Sequence, residues 1–424
     1  MMMRAAMGLW VLAAVICVGS GDSVSLVNDA NDSVSLVNDS VSLVNDANDS
    51  VSLVNDANKK FSFRLYRKLA ADADSQGKNI FFSPFSVSVA LAALSVGAQG
   101  ATHRQLFSGL GFSSSLLTQT DVDQAFQTFL HSATNPSQED ASDGTAVFVD
   151  KYFKPKPKFL QTLKLSYFAD GFNVDFSKAT ESADYINKYV KKKTNRKIDK
   201  LVEDLDPNTV MYLISYIYYK GKWATRFDPE LTKQDDFNVD KNTKVPAVMM
   251  NREDNFHIYR DRELKTTVLQ LPFKSSYSML LMLPDVMATL ENAISPNHVT
   301  KWLKAMVTPR RYDVYIPKFS IKTSYNLNDV LSEMGMTDLF GNRANLRGIS
   351  EEQGLAVSEV VHKATLDVDE AGATTAAATV IGIELTALPA PVPLLKFNSP
   401  FMVLITESNT EKILFLGKII NPTI

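Results

Sequence analysis

Five histidines, at positions 103, 131, 257, 298 and 362, are the residues of this 424-residue chain best suited to moving protons or holding a metal. No two of them stand at a metal-ligand spacing, and no H-E-x-x-H run is present. The carboxylates of Asp367, Asp369 and Glu370 cluster, but along a strand-like run with no acid–base partner identifiable nearby. The only cysteine is Cys17, so a cysteine-based metal site is excluded. There is no G-x-S-x-G elbow and no phosphate-binding loop. A Ser/His/Asp triad is defined by geometry and could be scattered over the chain. Without a nucleophile motif, the expectation is that the protein is not an enzyme and carries neither metal nor cofactor.

The chemically unusual stretch is 370–393, EAGATTAAATVIGIELTALPAPVP. It has no charge from Ala371 to Ile383 and no proline from Ala371 to Leu388. Surface loops are ordinarily polar and rich in turn residues. Small, uncharged, proline-free residues suit a segment that must later enter a β-sheet, where proline removes a ladder donor and a charge would be buried. A plain Ala/Thr linker fits the composition but explains neither the missing proline nor the missing charge.

The elements that must present this stretch follow from periodicity and composition. Hydrophobic residues make up 45% of the chain and charged residues 21%, which is globular and long enough for a large core. The net charge of −3 gives no pointer to nucleic acid. Residues 1–21 have a basic start at Arg4, an apolar run from Met7 to Val18 and then small residues. This is the pattern of a secretory signal peptide, and the run is short for a membrane span, so a secreted, extracellular protein with no membrane association is expected. With Cys17 inside that signal, the mature chain would have no disulfide and would rely on its core. Residues 22–58 are four copies of DSVSLVNDAN, the second shortened to seven residues, with seven Asp and no Lys or Arg. The stretch 22–57 is expected to be a disordered acidic tail, with Asn31, Asn38 and Asn48 as candidate glycosylation sites.

From Lys60 onward, Phe61, Leu65, Tyr66 and Leu69 recur at helical spacing. Ser83 followed by Pro84 reads as the cap and first residue of a second helix running to Gly97. Further helices are expected over 121–133, 157–168 and 182–201, the last polar with a basic end. That basic end reads as a solvated face, with an anionic partner as the sharper alternative. Strands are expected over 146–149, 209–219, 268–271, 278–283, 312–316 and 361–368, with a buried hairpin from 401–406 and 413–420. Helices dominate early and strands late, which indicates an α+β domain over 58–424.

The runs NIFFSPFSVSVALAALSVGAQGATHRQL (79–106), YYKGKW (218–223), YIPKFSI (315–321), VHKATLDVDEAG (361–372), FNSPFMVLI (397–405) and FLGKIINP (415–422) resemble, in order, the motifs of the serpin family. The likeness covers the chain from about Asn58 to Ile424 and is greatest to the antitrypsin-like secreted branch. It implies one domain of three β-sheets and eight or nine helices with an exposed reactive loop over about 370–393. It also implies a suicide-substrate inhibitor of serine proteases, expected to be a monomer: the protease cleaves the loop, is trapped as an acyl-enzyme, and the loop inserts into the largest sheet. A non-inhibitory carrier or scaffold is the alternative.

The same resemblance assigns roles. Glu370, Gly372, Ala373, Thr375, Ala376, Ala377 and Ala378 would form the hinge, with Ala373 standing where Thr or Ser is usual. Lys318 would pair with Glu370, and Trp223 would lie beneath the loop's entry into the sheet. Ser83, Ser86 and His362 would control strand separation, with Ser215 replacing the usual Asn beside the histidine and offering a shorter reach. The family's spacing places the scissile bond at Thr386–Ala387, with Leu385–Thr386 and Leu388 as alternatives. None of these is Arg or Lys, so an elastase- or chymotrypsin-like protease is the expected partner. The helix that binds heparin in some family members maps to 121–133, which contains no Lys or Arg.

Overall fold

The computed structural model describes residues 49–132, 140–371 and 391–424. The expected signal sequence, Asn31, Asn38, Asn48 and residues 372–390 lie outside them. A first helix, α1 (49–71), opens the described chain. It includes the fourth repeat copy, which the sequence reading assigns to the disordered tail. The reason is a continuous apolar stripe: Val54, Ala57, Phe61, Leu65 and Leu69 recur at three- and four-residue steps and are all buried. Asn55 is also drawn in, its Nδ2 donating to the Thr410 carbonyl at 2.6 Å. The ordered domain therefore begins before residue 58.

The central helix is α2 (Pro84–Ser95), buried at every position. Ser83 caps it by accepting from the Ser86 N–H, and Pro84 occupies its first turn. Such an all-round apolar helix belongs inside a domain, and α2 lies against strands of both sheets. The remaining helices are α3 (Gly100–Leu110), α4 (Gln119–Ser132), α5 (Pro157–Ser166), α6 (Ala179–Lys193), α7 (Met287–Ala293), α8 (Pro296–Ala305) and α9 (Asn328–Glu333). Nine α-helices are thus present among the described residues. The expected helix over 182–201 stops at Lys193, where Asn195 and Arg196 take positive φ values of 47° and 66° and turn the chain.

Five strands form the sheet that concerns function: β2 (Asp140–Asp150), β3 (Asp170–Val174), β4 (Met211–Lys220), β10 (Phe319–Asn326) and β11 (Glu359–Val368), in the order β10-β11-β4-β2-β3. The pair β11–β4 is parallel, whereas β10–β11 and β2–β4 are antiparallel. The second sheet contains β1 (Ile80–Phe82), β5 (Lys233–Asn238), β6 (Lys244–Asp261), β7 (Thr266–Pro272), β8 (Tyr277–Pro284), β9 (Arg310–Pro317), β12 (Leu394–Lys396), β13 (Phe401–Glu407) and β14 (Ile413–Ile419). The family resemblance implies three sheets. Here two of them are joined because the 18-residue β6 pairs with β9 up to Phe256 and with β7 from His257 onward. Gly417 allows β1 and β14 to meet, since a Cβ there would collide with the Ile80 carbonyl and Phe81.

Candidate functional site

The parallel seam between β11 and β4 ends where the unusual stretch begins. β11 is buried at seven of its ten positions, with Ala364, Leu366 and Val368 packed in the main core, and the chain leaves it at Asp369. Three donors from the segment after β4 hold that exit. The Trp223 indole Nε1 donates to the Asp369 carbonyl at 2.7 Å, the Phe227 N–H to the Glu370 carbonyl at 3.2 Å, and the Trp223 N–H to the Ala371 carbonyl at 3.1 Å. Trp223 is fixed in turn: it is 2% exposed and stacked on Phe273 at 4.6 Å between ring centroids.

Side-chain charges bind the same corner. Lys318 Nζ lies 2.8 Å from Glu370 Oε2, and Thr232 Oγ1 donates to Glu370 Oε1 at 3.0 Å. Burial works to raise the Glu370 pKa, but the Lys318 hydrogen bond and smaller contributions from the backbone and Thr232 outweigh it and hold the carboxyl below its usual range. Lys220 Nζ sits 2.6 Å from Asp369 Oδ2, while Asp369 Oδ1 accepts from the Ala371 N–H at 2.9 Å. The Asp369 carboxyl is likewise held low: burial opposes this, and the Lys220 contact prevails.

Halfway down the seam a polar cluster interrupts the core. His362 stands directly across from Ser215 in the β11–β4 register and is fully buried. The Ser83 N–H donates to His362 Nε2 at 3.0 Å. A backbone N–H can only donate, so Nε2 is the acceptor and Nδ1 carries the hydrogen. The 3.1 Å contact from Nδ1 to Ser215 Oγ is then an N–H donated to the hydroxyl. Burial pushes the imidazole pKa down to about 3, so the ring is neutral at physiological pH. Ser83 Oγ donates to Ser86 Oγ at 3.0 Å, tying the start of α2 to the same cluster.

The structure thus brings Glu370 together with Lys318 and Trp223, and His362 together with Ser83, Ser86 and Ser215. It describes none of Gly372, Ala373, Thr375, Ala376, Ala377, Ala378, Leu385, Thr386, Ala387 or Leu388. Sequence reasoning missed Thr232, Phe227 and Lys220 at the exit. Lys220 lies inside the YYKGKW motif and was legible there; Phe227 and Thr232 have no sequence signal, because they meet the exit only through the path of the chain after β4. Among the described residues no group of three or more His, Cys, Asp or Glu side chains could hold a metal, and no helix is long and apolar enough to cross a membrane.

A sequence model of the family described as Serpin (serine protease inhibitor) matches residues 56–422. The chain is 39% identical over 419 residues to an alpha-1-antitrypsin-like protein of Tamias sibiricus, covering 98% of each. It is 41% identical over 366 residues to Serpin A3-5 of Bos taurus, covering 86% of this chain and 88% of that one. Its fold matches the crystal structure of human thyroxine-binding globulin complexed with thyroxine at a TM-score of 0.81 and 35% identity, over 88% of this chain and 100% of that chain. The protein belongs to the serpin family of serine protease inhibitors.

Proposed function

We propose that the protein is a secreted suicide-substrate inhibitor of elastase- or chymotrypsin-like serine proteases. The observation that carries this reading is the parallel β11–β4 pair at the centre of the five-stranded sheet, together with the chain that leaves β11 at Glu370. A segment turning back from the end of β11 runs antiparallel to it. Placed between β11 and β4, it is antiparallel to both, and exchanges one parallel ladder for two antiparallel ones, which are slightly more stable per residue. The segment from Ala371 to Ile383 carries no charge that insertion would bury. Alternating side chains, Ala373, Thr375, Ala377 and Thr379 on one face and Thr374, Ala376, Ala378 and Val380 on the other, are small enough for either face.

In this mechanism the protease serine attacks the carbonyl of Thr386, with Leu385 and Leu388 as alternatives, and the Thr386–Ala387 amide breaks. The acyl ester is carried away as the segment up to Val380 enters the sheet. Gly372 supplies the backbone freedom for the reversal. Incubation with elastase and with chymotrypsin, followed by denaturing electrophoresis and intact mass, tests this. The expected result is a denaturant-stable complex plus a released peptide beginning at Ala387. Cleavage by each enzyme without a complex would overturn it.

The fold match to thyroxine-binding globulin supports a second reading, a non-inhibitory carrier. Saturable binding of thyroxine together with absence of any protease complex would establish that reading instead.

A further inference from the structure

The corner at Glu370 has a support that lies outside the five-stranded sheet. Trp223 and Phe227, which donate to the carbonyls of Asp369, Glu370 and Ala371, belong to the segment after β4. The Trp223 end of that segment is anchored twice. Trp223 forms a β-bridge with Phe273, and the Ala224 N–H donates to the Pro272 carbonyl at 2.9 Å. Residues 225–227 belong to no strand or helix. Arg252, from within β6, reaches them instead. Its Nη1 donates to the Thr225 carbonyl. Its guanidinium carbon lies 4.9 Å from the ring centroid of Phe227 and 4.7 Å from that of Phe256.

The residue type matters here. A guanidinium is planar, so it can lie against aromatic rings while its edge donates a hydrogen bond; a lysine ammonium is a compact point charge and cannot do both. Arg252, Asp254 and Phe256 alternate onto one face of β6. Phe227 is fully buried, Phe256 is 2% exposed, and only 14% of the Arg252 side chain reaches solvent. Asp254 Oδ2 stands 3.5 Å from Arg252 Nε, an ion pair without a hydrogen bond. The buried charge is therefore met mainly by two rings and one carbonyl, and it binds β6 to the segment that donates to Glu370.

β6 also braces the chain on both sides of residues 372–390. On the entry side the Lys318 N–H donates to the Val248 carbonyl at 2.7 Å, setting the lysine that pairs with Glu370. On the exit side Arg252, Val314 and Leu395 are direct neighbours across β6, β9 and β12. Asn251 Nδ2 donates to Asp313 Oδ1 at 2.6 Å, and the Asp313 N–H donates to the Pro393 carbonyl at 3.0 Å.

We propose that Arg252 is a positioning residue for loop insertion: it clamps residues 225–227 so that the Phe227 and Trp223 N–H groups hold the Glu370 and Ala371 carbonyls outside the β11–β4 seam. The clamp stands on its own geometry; its role in insertion rests on the inhibitor reading. Reversing the chain at Gly372 re-aims the Ala371 carbonyl, so these bonds break or the donating segment follows. Loosening the clamp lowers that barrier.

The experiment uses the full chain and compares Arg252→Met and Arg252→Lys with Leu404→Ala, a core truncation remote from the corner. Hydrogen exchange at the Phe227 amide, read by mass spectrometry of the peptide that spans it, reports the clamp without any protease. Conversion of the uncleaved chain to the loop-inserted form on warming, read by urea-gradient electrophoresis, reports insertion. Arg252→Met keeps an apolar stem but loses the charge and the donor. It should speed both exchange and conversion roughly tenfold, as expected for one lost hydrogen bond from a charged group. Arg252→Lys, which keeps the charge, should fall between Met and wild type. Unchanged exchange at Phe227 in Arg252→Met overturns the clamp. Faster exchange with conversion no faster than in Leu404→Ala at matched destabilisation overturns the positioning role and leaves Arg252 merely structural. A wild-type chain that neither converts on warming nor forms a protease complex defeats the inhibitor reading and the insertion role with it, while exchange at Phe227 still decides the clamp.

Discussion

β11 and β13 are both buried central strands, and they are built in opposite ways. All seven residues of β13 are buried, the first five being Phe401, Met402, Val403, Leu404 and Ile405. It lies between β14 and β8 with antiparallel pairing on both sides. β11 has an antiparallel neighbour on one side only; on the other it meets β4 in parallel, with the buried polar pair His362 and Ser215 at the contact. A continuous apolar wall has one good arrangement, because any separation exposes hydrocarbon to water. A seam held at intervals by hydrogen bonds can part at a limited cost, provided those groups find new partners. The difference separates the part of the fold that must stay fixed from the part that the proposed mechanism opens.

The strongest test of this contrast is Ala377→Glu. A glutamate at this position would be buried in the inserted strand without a partner, costing several kcal/mol, while the native β13 region is untouched. The stoichiometry of inhibition should rise by an order of magnitude or more as the variant turns from inhibitor to substrate, and native unfolding should be unchanged. An unaltered stoichiometry would count against insertion. Leu404→Ala probes the fixed wall. Leu404 is fully buried, so truncation should destabilise the native fold by about 2–5 kcal/mol, read from urea unfolding.

Ser215→Ala tests the seam itself. It leaves the Nδ1–H of His362 buried without its acceptor, at a cost of about 1–3 kcal/mol. Conversion to the loop-inserted form on warming should accelerate, which Leu404→Ala should not reproduce at matched destabilisation. Equal acceleration in both would dissolve the distinction between wall and seam.

The same cluster predicts a pH dependence. His362 titrates near 6.5 in the unfolded chain and about 3 in the fold. Between those values the unfolded chain binds more protons, so this contribution to stability is complete above about pH 6.5 and shrinks as pH falls toward 3. Replacing His362 by Gln should flatten the loss of stability between about pH 6.5 and 4.5. Below that range the carboxyls held low, Glu370 at the exit and Asp261, add their own acid loss. Burial alone would raise the Asp261 pKa, but hydrogen bonds from Trp302, the Leu264 N–H and Lys301 bring it to about 2. A wild-type slope no steeper than the variant's would remove His362 from the account. The smallest effect belongs to Lys318→Ala. Lys318 is 45% exposed, so losing its pair should cost under about 1 kcal/mol, with a modest change in the rate of insertion.

Much of the frame was legible in residue patterns. Ser83–Pro84 announced the start of α2, and the apolar run at 209–219 became the central strand β4. Elements whose pattern is not apolar were missed. β6 runs through NREDN, where none of the five side chains is buried, so the strand leaves little hydrophobic signal there. The start of α1 was hidden within a repeat, whose last copy is set apart only by the apolar stripe that continues beyond it through Phe61, Leu65 and Leu69. The end of α6 was overrun because charged residues continue past Lys193, while the positive φ values that stop the helix belong to Asn195 and Arg196.

By itself the sequence determined the local chemistry: which segments bury apolar faces, where helices are capped, and that 371–383 carries no charge. These properties depend on residues close together in the chain. The tertiary structure decided the rest: that β11 and β4 are parallel neighbours, that the Ser83 N–H fixes the His362 tautomer, and that Trp223, Phe227 and Thr232 converge on Asp369–Ala371. Those contacts join residues more than a hundred positions apart, and only the packing of the whole core fixes which distant groups meet.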